Sequence, residues 1–140
     1  MKYTILHFAD LHLDTSFAST GLPVSISAWR RHDLQATLSR ILTIARERRV
    51  NAVTIGGDLY EQDYALPDTG EFLVQEFSKA APIRIFITPG KSDPYTSESL
   101  YSLTRWPENM TTFSQGALTA HSGVSGPPGR RNSGVPVHQG

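Results

Sequence analysis

The feature that most constrains the fold of this 140-residue chain is an alternation of short apolar segments with helical patterns. Apolar runs typical of β-strands occupy residues 3–8, 50–55, 83–87 and 110–113. Between them, apolar positions at helical spacing predict a long helix around residues 34–45, a second helix from Pro67-Asp68 and a short helix near 97–103. A strand–helix–strand alternation requires crossover connections, which join parallel strands. The chain therefore predicts an α/β fold with a mostly parallel sheet and crossover helices.

The composition divides the chain into two regions. Residues 1–113 carry the apolar patterns of a domain, whereas residues 114–140 contain six of the eleven glycines, three of the nine prolines and no acidic residue. Such a segment buries too little apolar surface to offset its chain entropy. We therefore expect a partial domain over 1–113 and a disordered tail over 114–140. A basic tail that contacts phosphates through Arg130 and Arg131, or a segment read in a shifted frame, are the alternatives.

Charge and cysteine content exclude several classes of protein. Thirteen basic residues balance thirteen acidic ones, so the chain lacks the global positive field typical of nucleic-acid-binding domains. The absence of cysteine excludes disulfides, thiolate zinc sites and a cysteine nucleophile. The apolar run after Lys2 ends at Asp10, too early for a signal peptide or a membrane span. We expect a soluble, cytoplasmic protein with no membrane partner.

Polar residues follow each of the first three strands. Asp10 and His12 are two positions apart, so in an extended segment their side chains point the same way. The Gly56-Gly57 turn leaves Asp58 projecting above the sheet. Because the carboxyl ends of parallel strands meet at one edge, we expect these groups to converge there. Carboxylates and an imidazole suit a divalent transition metal, although each cluster alone is more typical of a surface turn.

Two stretches, residues 5–14 and 55–60, carry a resemblance to a known family. Their sequences, Ile-Leu-His-Phe-Ala-Asp-Leu-His-Leu-Asp and Ile-Gly-Gly-Asp-Leu-Tyr, resemble the first and second motifs of the calcineurin-like metallophosphoesterase superfamily. The pattern is most similar to the DNA-repair exonuclease branch, the nuclease subunit. The resemblance covers about residues 3–113 and implies the N-terminal half of an αββα sandwich.

The resemblance also implies the chemistry. It predicts a phosphoesterase with two metal ions. We expect manganese first, and iron, zinc or magnesium are the alternatives. Asp10 and His12 match ligands of the first metal, and Asp58 matches the carboxylate that bridges both metals. The implied substrate is a phosphoester, for which DNA is our hypothesis. An ATPase subunit is the partner that this branch implies.

The third motif of the family, Gly-Asn-His followed by an acid, is altered to Gly90-Lys91-Ser92-Asp93. Lys91 stands at the position of the second-metal ligand, and its ammonium has no lone pair. Ser92 stands at the position of the catalytic histidine and has no group that titrates near neutral pH. Asp93 stands at the position of the acid that orients that histidine. We therefore expect loss of the second metal and weak or no turnover.

The family's later histidine ligands find no match, because His121 and His138 lie outside a Gly-His-x-His pattern. From the length of the chain we expect only the N-terminal half of the domain, without the family's second sheet. We therefore expect apolar surface on one face of the sheet. One alternative is a non-catalytic module that holds a phosphate or nucleic-acid backbone; another is a truncated fragment without its own function. The basic residues of the first alternative are Lys91, Arg30, Arg31, Arg130 and Arg131. Tyr60 and Glu61 are expected to line the site, and His7 to face the core or a neighbouring loop.

Overall fold

A computed structural model describes residues 2–17 and 21–114 of the chain. The strands are β1 (Ile5–Phe8), β2 (Ala52–Ile55), β3 (Arg84–Ile87) and β4 (Met110–Thr112), and the helices are α1 (Val24–Glu47), α2 (Pro67–Ala80) and α3 (Leu100–Leu103). The predicted α/β class is confirmed, with strands one or two residues shorter than predicted. Almost all of the predicted tail, residues 115–140, lies outside the described part of the chain, and Arg130 and Arg131 lie there with it.

The four strands form one sheet in the order β1-β2-β3-β4, and each neighbouring pair is parallel. Phe8 pairs with Ile55, and Ile55 pairs with Ile87, so the first three strands end side by side. The loops that leave these ends therefore share one edge of the sheet, as the polar clusters in the sequence predict.

Helix α1 begins after Pro23 and ends at a left-handed residue. The amides of Ile26 and Ser27 both donate to the Pro23 carbonyl. At the other end, Arg49 has φ of 50°, and the Val50 amide donates to the Ala45 carbonyl at 3.1 Å, which is the helix-ending bond of a Schellman motif. None of the helices in the described ranges combines the length and the apolarity needed to cross a bilayer.

The core lies between the helices and one face of the sheet. Helices α1 and α2 contact each other, so they cover the same face. Their buried apolar positions recur at spacings of three and four residues, as expected for helices with one apolar face. The buried side chains on this interface are Leu38, Leu42 and Ala45 of α1, Leu73, Phe77 and Ala80 of α2, and Val53, Ile55, Ile85 and Ile87 of the sheet.

The opposite face of the sheet carries no helix within the described residues. Ile5 is 54% exposed there, and the ring of Phe86 stacks on that of Phe113 with centroids 6.1 Å apart. His7 is exposed on this face, where its Nδ1 lies 2.8 Å from Thr54 Oγ1. His7 does not face the core, because its neighbours Leu6 and Phe8 take that face. Its ring lies against Gly56 in the loop after β2, as the alternative expectation has it. The expected exposed apolar surface is present.

Candidate metal centre

The loops that follow β1 and β2 bring Asp10, His12 and Asp58 together. The Asp10 amide donates to the Gly57 carbonyl at 3.0 Å, and the His12 amide donates to the Asp58 carbonyl at 3.0 Å. These two bonds extend the parallel pairing beyond the strands and hold the two loops in register. One ligand atom from each of the three residues lies within 4.8 Å of the others. The convergence expected from the sequence is therefore present in the structure.

The three residues occupy backbone conformations that side chains rarely adopt. Asp10, His12 and Asp58 have φ angles of 58°, 52° and 52°. Left-handed backbone costs a residue with a Cβ roughly 1–2 kcal/mol. The chain keeps aspartate and histidine at these positions instead of glycine. Asp14 and Arg49, outside the cluster, have φ of 63° and 50°, so this backbone positions the three side chains and does not by itself mark a site.

Gly90 lets the third loop approach Asp58 closely. A Cβ built on Gly90 would lie 2.5 Å from Asp58 Oδ1 and 2.6 Å from Asp58 N, closer than atoms can pack. Gly57, with φ of 102°, lies against the backbone of Gly90. The two glycines therefore allow the loops after β2 and β3 to touch at the site.

His12 is oriented by a carboxylate. Its Nδ1 lies 2.6 Å from Glu61 Oε1, in a loop held by a hydrogen bond from the Glu61 amide to the Leu13 carbonyl. A carboxylate on one ring nitrogen fixes the tautomer of a metal-binding histidine and leaves the other nitrogen free to ligate. Glu61 therefore lines the site, as expected, and its role there is to orient His12.

Replacing Glu61 with glutamine tests this role. In Glu61→Gln the acceptor oxygen remains but the negative charge on it is lost, so the basicity of His12 falls. We expect the affinity for Mn²⁺ to fall by about tenfold, the scale typical of such supporting groups. Isothermal titration calorimetry measures the change, with exposed Asp63→Asn as a control. Equal affinities in wild type and Glu61→Gln would contradict this role.

Asp58 receives two hydrogen bonds from Ser92. The Ser92 amide and its Oγ each donate to Asp58 Oδ1 at 2.8 Å. These bonds, the amide first and the hydroxyl second, lower the pKa of the Asp58 carboxyl. The carboxylate is thereby held ionised, and its Oδ2 accepts neither bond and can serve as a ligand.

The donor set fits a divalent ion. Neither Asp10 nor Asp58 forms an ion pair with a lysine or arginine of the described residues. Two ligands on opposite sides of an ion bound at about 2.1 Å are about 4.2 Å apart, so a spread of up to 4.8 Å closes with small side-chain rotations. Two carboxylates and an oriented imidazole suit manganese, iron or zinc.

Asp93 is fully buried and holds the backbone of Asp58. Its Oδ1 accepts the amides of Asp58 at 3.0 Å and Gly90 at 2.6 Å. Its Oδ2 accepts the Leu59 amide at 3.0 Å and the Tyr101 hydroxyl at 2.5 Å. Burial, and then the charge of Asp93, raise the pKa of Tyr101. Asp93 therefore orients the loop that follows β2 (residues 56–60, the second-motif loop). It does not orient the side chain of Ser92. Nothing in the sequence indicates Tyr101 as its partner.

Lys91 and Tyr60, two further residues that the sequence places near the site, differ in their exposure to solvent. Lys91 is exposed at the rim, between Gly90 and Ser92. Tyr60 is fully buried, and its hydroxyl donates to Gln62 Oε1 at 2.8 Å. Burial raises the pKa of Tyr60 to about 12. The expectation that Tyr60 lines the site is therefore wrong, because its ring belongs to the core.

Arg31 forms a structural ion pair. Its Nε donates to Asp14 Oδ1 at 2.8 Å and its Nη2 to Asp68 Oδ1 at 3.0 Å. A phosphate contact by Arg31 is therefore not supported, because its guanidinium already donates to two carboxylates. Arg30 is exposed, and its guanidinium lies over the Phe17 ring, 5.6 Å from the centroid.

Known proteins of similar sequence are metallophosphoesterases. The family model of the calcineurin-like phosphoesterases matches residues 3–139. Among curated proteins, the chain is similar to an uncharacterized metallophosphoesterase, YhaO, of Bacillus subtilis (strain 168). The two are 28% identical over 114 residues, which cover 79% of this chain and 28% of YhaO. The chain thus spans about a quarter of the length of this relative.

Proposed function

Because this chain belongs to the calcineurin-like phosphoesterase family, we propose that its sheet edge is a site of metal-dependent phosphoester hydrolysis. Asp10, His12 and Asp58 hold one divalent ion in this proposal. The observation that carries it is the convergence of their ligand atoms within 4.8 Å, from two loops that are far apart in sequence. The carboxylate that orients His12 supports the same assignment.

Each residue has a separate task in this site. A bound divalent ion supplies charge neutralisation for the phosphoryl oxygens and activation of water as the nucleophile. Glu61 fixes the ring of His12, and Ser92 fixes the Asp58 carboxylate with two hydrogen bonds. Asp93 holds the Asp58 backbone. The orientation of His12 and Asp58 is thus set before substrate arrives.

Within residues 2–17 and 21–114, the altered third motif offers no group to protonate the leaving oxygen. At the rim, Lys91 replaces the asparagine of the family motif, and the Ser92 hydroxyl that replaces the histidine already donates to Asp58. A serine hydroxyl does not titrate near neutral pH as an imidazole does, so it is a poor general acid. We therefore propose one metal instead of two and slow turnover.

The finer assignments are proposals that rest on the motif resemblance. They are a phosphodiester in DNA as substrate, exonuclease-like cleavage, manganese as the metal, an ATPase subunit as partner and a cytoplasmic location. The division into a partial domain over 1–113 and a tail over 114–140 also stays a prediction.

Restoring the family's third motif tests the proposed reaction. In the double variant Lys91→Asn, Ser92→His, the site regains a neutral ligand and a general acid. In Mn²⁺, we expect hydrolysis of thymidylyl-(3′→5′)-thymidine, whose alkoxide leaving group needs a proton, to rise by about a hundredfold, the lower range of general acid catalysis. Chromatographic separation of the released thymidine measures the rate.

The same double variant carrying Asp58→Asn serves as the control for contaminating hydrolases and is expected to lose the gain. A folded double variant that binds Mn²⁺ but shows no increase in rate would contradict the proposed reaction.

The exposure of Lys91 favours a second candidate, a non-catalytic phosphate-binding site. An ammonium at the rim can hold a phosphate as a point charge. In that case Lys91→Asn lowers the affinity for inorganic phosphate, and binding weakens steeply with salt. An unchanged or higher phosphate affinity in Lys91→Asn would exclude this candidate.

A further inference from the structure

Asp14 is a buried carboxylate two residues after His12, and the proposed reaction gives it no task. Only 2% of its side chain is exposed. Its Oδ1 accepts Arg31 Nε of α1 at 2.8 Å, and its Oδ2 accepts both the Leu66 amide at 3.2 Å and the hydroxyl of Thr69 in α2. This one carboxylate therefore connects the loop after β1 to α1 and to the start of α2.

The backbone around Asp14 forms a tight turn that carries His12. The Thr15 amide donates to the His12 carbonyl at 3.2 Å, and the Thr15 hydroxyl donates to the same oxygen at 2.5 Å. His12 and Asp14 both have left-handed backbone, with φ of 52° and 63°. Because two hydrogen bonds close this turn of four residues, a displacement of Asp14 also displaces His12.

The same carboxylate holds the segment that carries Glu61, the partner of His12. This segment ends at Leu66 and is hydrogen-bonded at both ends. At its start, the Glu61 amide donates to the Leu13 carbonyl at 2.9 Å. At its end, the Leu66 amide donates to Asp14 Oδ2. Asp14 therefore fixes both sides of the 2.6 Å contact between His12 Nδ1 and Glu61 Oε1.

This arrangement requires a carboxylate at Asp14. An ionised carboxylate accepts hydrogen bonds on both oxygens, and here both oxygens face donors. An asparagine of the same shape can offer its oxygen to Arg31, but its amide nitrogen then opposes the Leu66 amide. In Asp14→Asn the contact with α1 remains, whereas the segment that carries Glu61 loses its anchor.

We propose that Asp14 is a positioning residue of the metal centre. It holds His12 and Glu61 in the geometry that leaves the second ring nitrogen of the histidine free to ligate. This inference rests on the proposed function for the presence of the metal. The contact between His12 and Glu61 can be observed without any metal, so the two claims can fail separately.

The test measures metal affinity and the state of the His12 ring in folded variants. Calorimetry gives the Mn²⁺ affinity of Asp14→Asn, and long-range proton–nitrogen NMR spectra in metal-free, slightly alkaline buffer show which ring nitrogen carries the proton. Glu61→Ala supplies the spectrum of His12 without its partner. The matched control, Leu42→Ala, removes a buried side chain near the end of α1 that leads into β2, at the opposite edge of the sheet. Thr69→Val removes one donor to Asp14, keeps the buried charge and is the milder variant.

We expect Asp14→Asn to bind Mn²⁺ about tenfold more weakly than the wild-type chain, the scale typical of groups that orient a ligand. Its His12 ring shows the mixture of tautomers seen in Glu61→Ala, whereas the wild type shows one tautomer. Thr69→Val changes both readouts in the same direction and by less. Leu42→Ala lowers the urea midpoint, because it leaves a cavity in the core, but keeps the wild-type affinity and the single tautomer.

Wild-type Mn²⁺ affinity and a single His12 tautomer in Asp14→Asn would overturn the inference and leave the metal centre intact. Thr69→Val decides in the same way if Asp14→Asn does not fold. Equal changes in Leu42→Ala would also overturn the inference, because they would follow from lost stability alone. A wild-type chain that binds no Mn²⁺ would overturn the proposed function. A tautomer change in Asp14→Asn would then still show that Asp14 holds the contact between His12 and Glu61.

Discussion

Asp93→Asn is expected to lower the free energy of unfolding by about 3 kcal/mol. Each carboxylate oxygen of Asp93 accepts two hydrogen bonds, so an amide nitrogen at either position opposes a backbone N–H. A buried donor left without an acceptor costs about 1–3 kcal/mol, and the loss of charge weakens the remaining bonds. Thermal denaturation followed by circular dichroism measures the effect, expected as a fall in Tm of about 10 °C or more.

Asp33→Asn on the exposed side of α1 is the matched control for Asp93→Asn. Surface substitutions of this kind change stability by less than about 0.5 kcal/mol. Similar Tm values for Asp93→Asn and Asp33→Asn would show that the buried carboxylate does not hold the second-motif loop.

Arg31→Met is expected to destabilise the fold by about 3 kcal/mol. The variant leaves the Asp14 carboxylate buried without its cation, which is the costly way to break a buried ion pair. Arg30→Met, one residue earlier and exposed, removes the same charge and is expected to cost less than about 1 kcal/mol. Urea denaturation of both variants measures the difference.

A phosphate-binding role for Arg31 predicts a different result. In that case Arg31→Met would weaken binding of inorganic phosphate and leave the urea midpoint unchanged. A large loss of stability confined to Arg31→Met would instead confirm that this arginine belongs to the scaffold.

The sequence predicts the sheet and the metal-ligand cluster because both follow from local patterns. Apolar runs of strand length set β1 to β3, and the polar residues directly after them must meet at one edge of a parallel sheet. Asp10, His12 and Asp58 were found in this way. The left-handed φ angles of all three residues were not predicted, because aspartate and histidine adopt such backbone more often than other side chains but far less often than glycine.

The partners of the cluster depend on contacts between distant segments. Asp93 meets Tyr101 and the amides of Asp58 and Leu59 only after β2, β3 and α3 pack together. Arg31 meets Asp14 because α1 crosses the loop after β1. Residue type alone suggested a phosphate contact for Arg31. Only its three-dimensional surroundings show that its charge is already used.

The most direct test of the metal centre is a calorimetric titration of Mn²⁺ into the whole chain and into Asp58→Asn. We expect one ion bound per wild-type chain and an affinity at least about a hundredfold lower in the variant, because a charged ligand is replaced by a neutral one. No saturable binding to the wild-type chain, or equal binding to a folded Asp58→Asn, would contradict this metal centre.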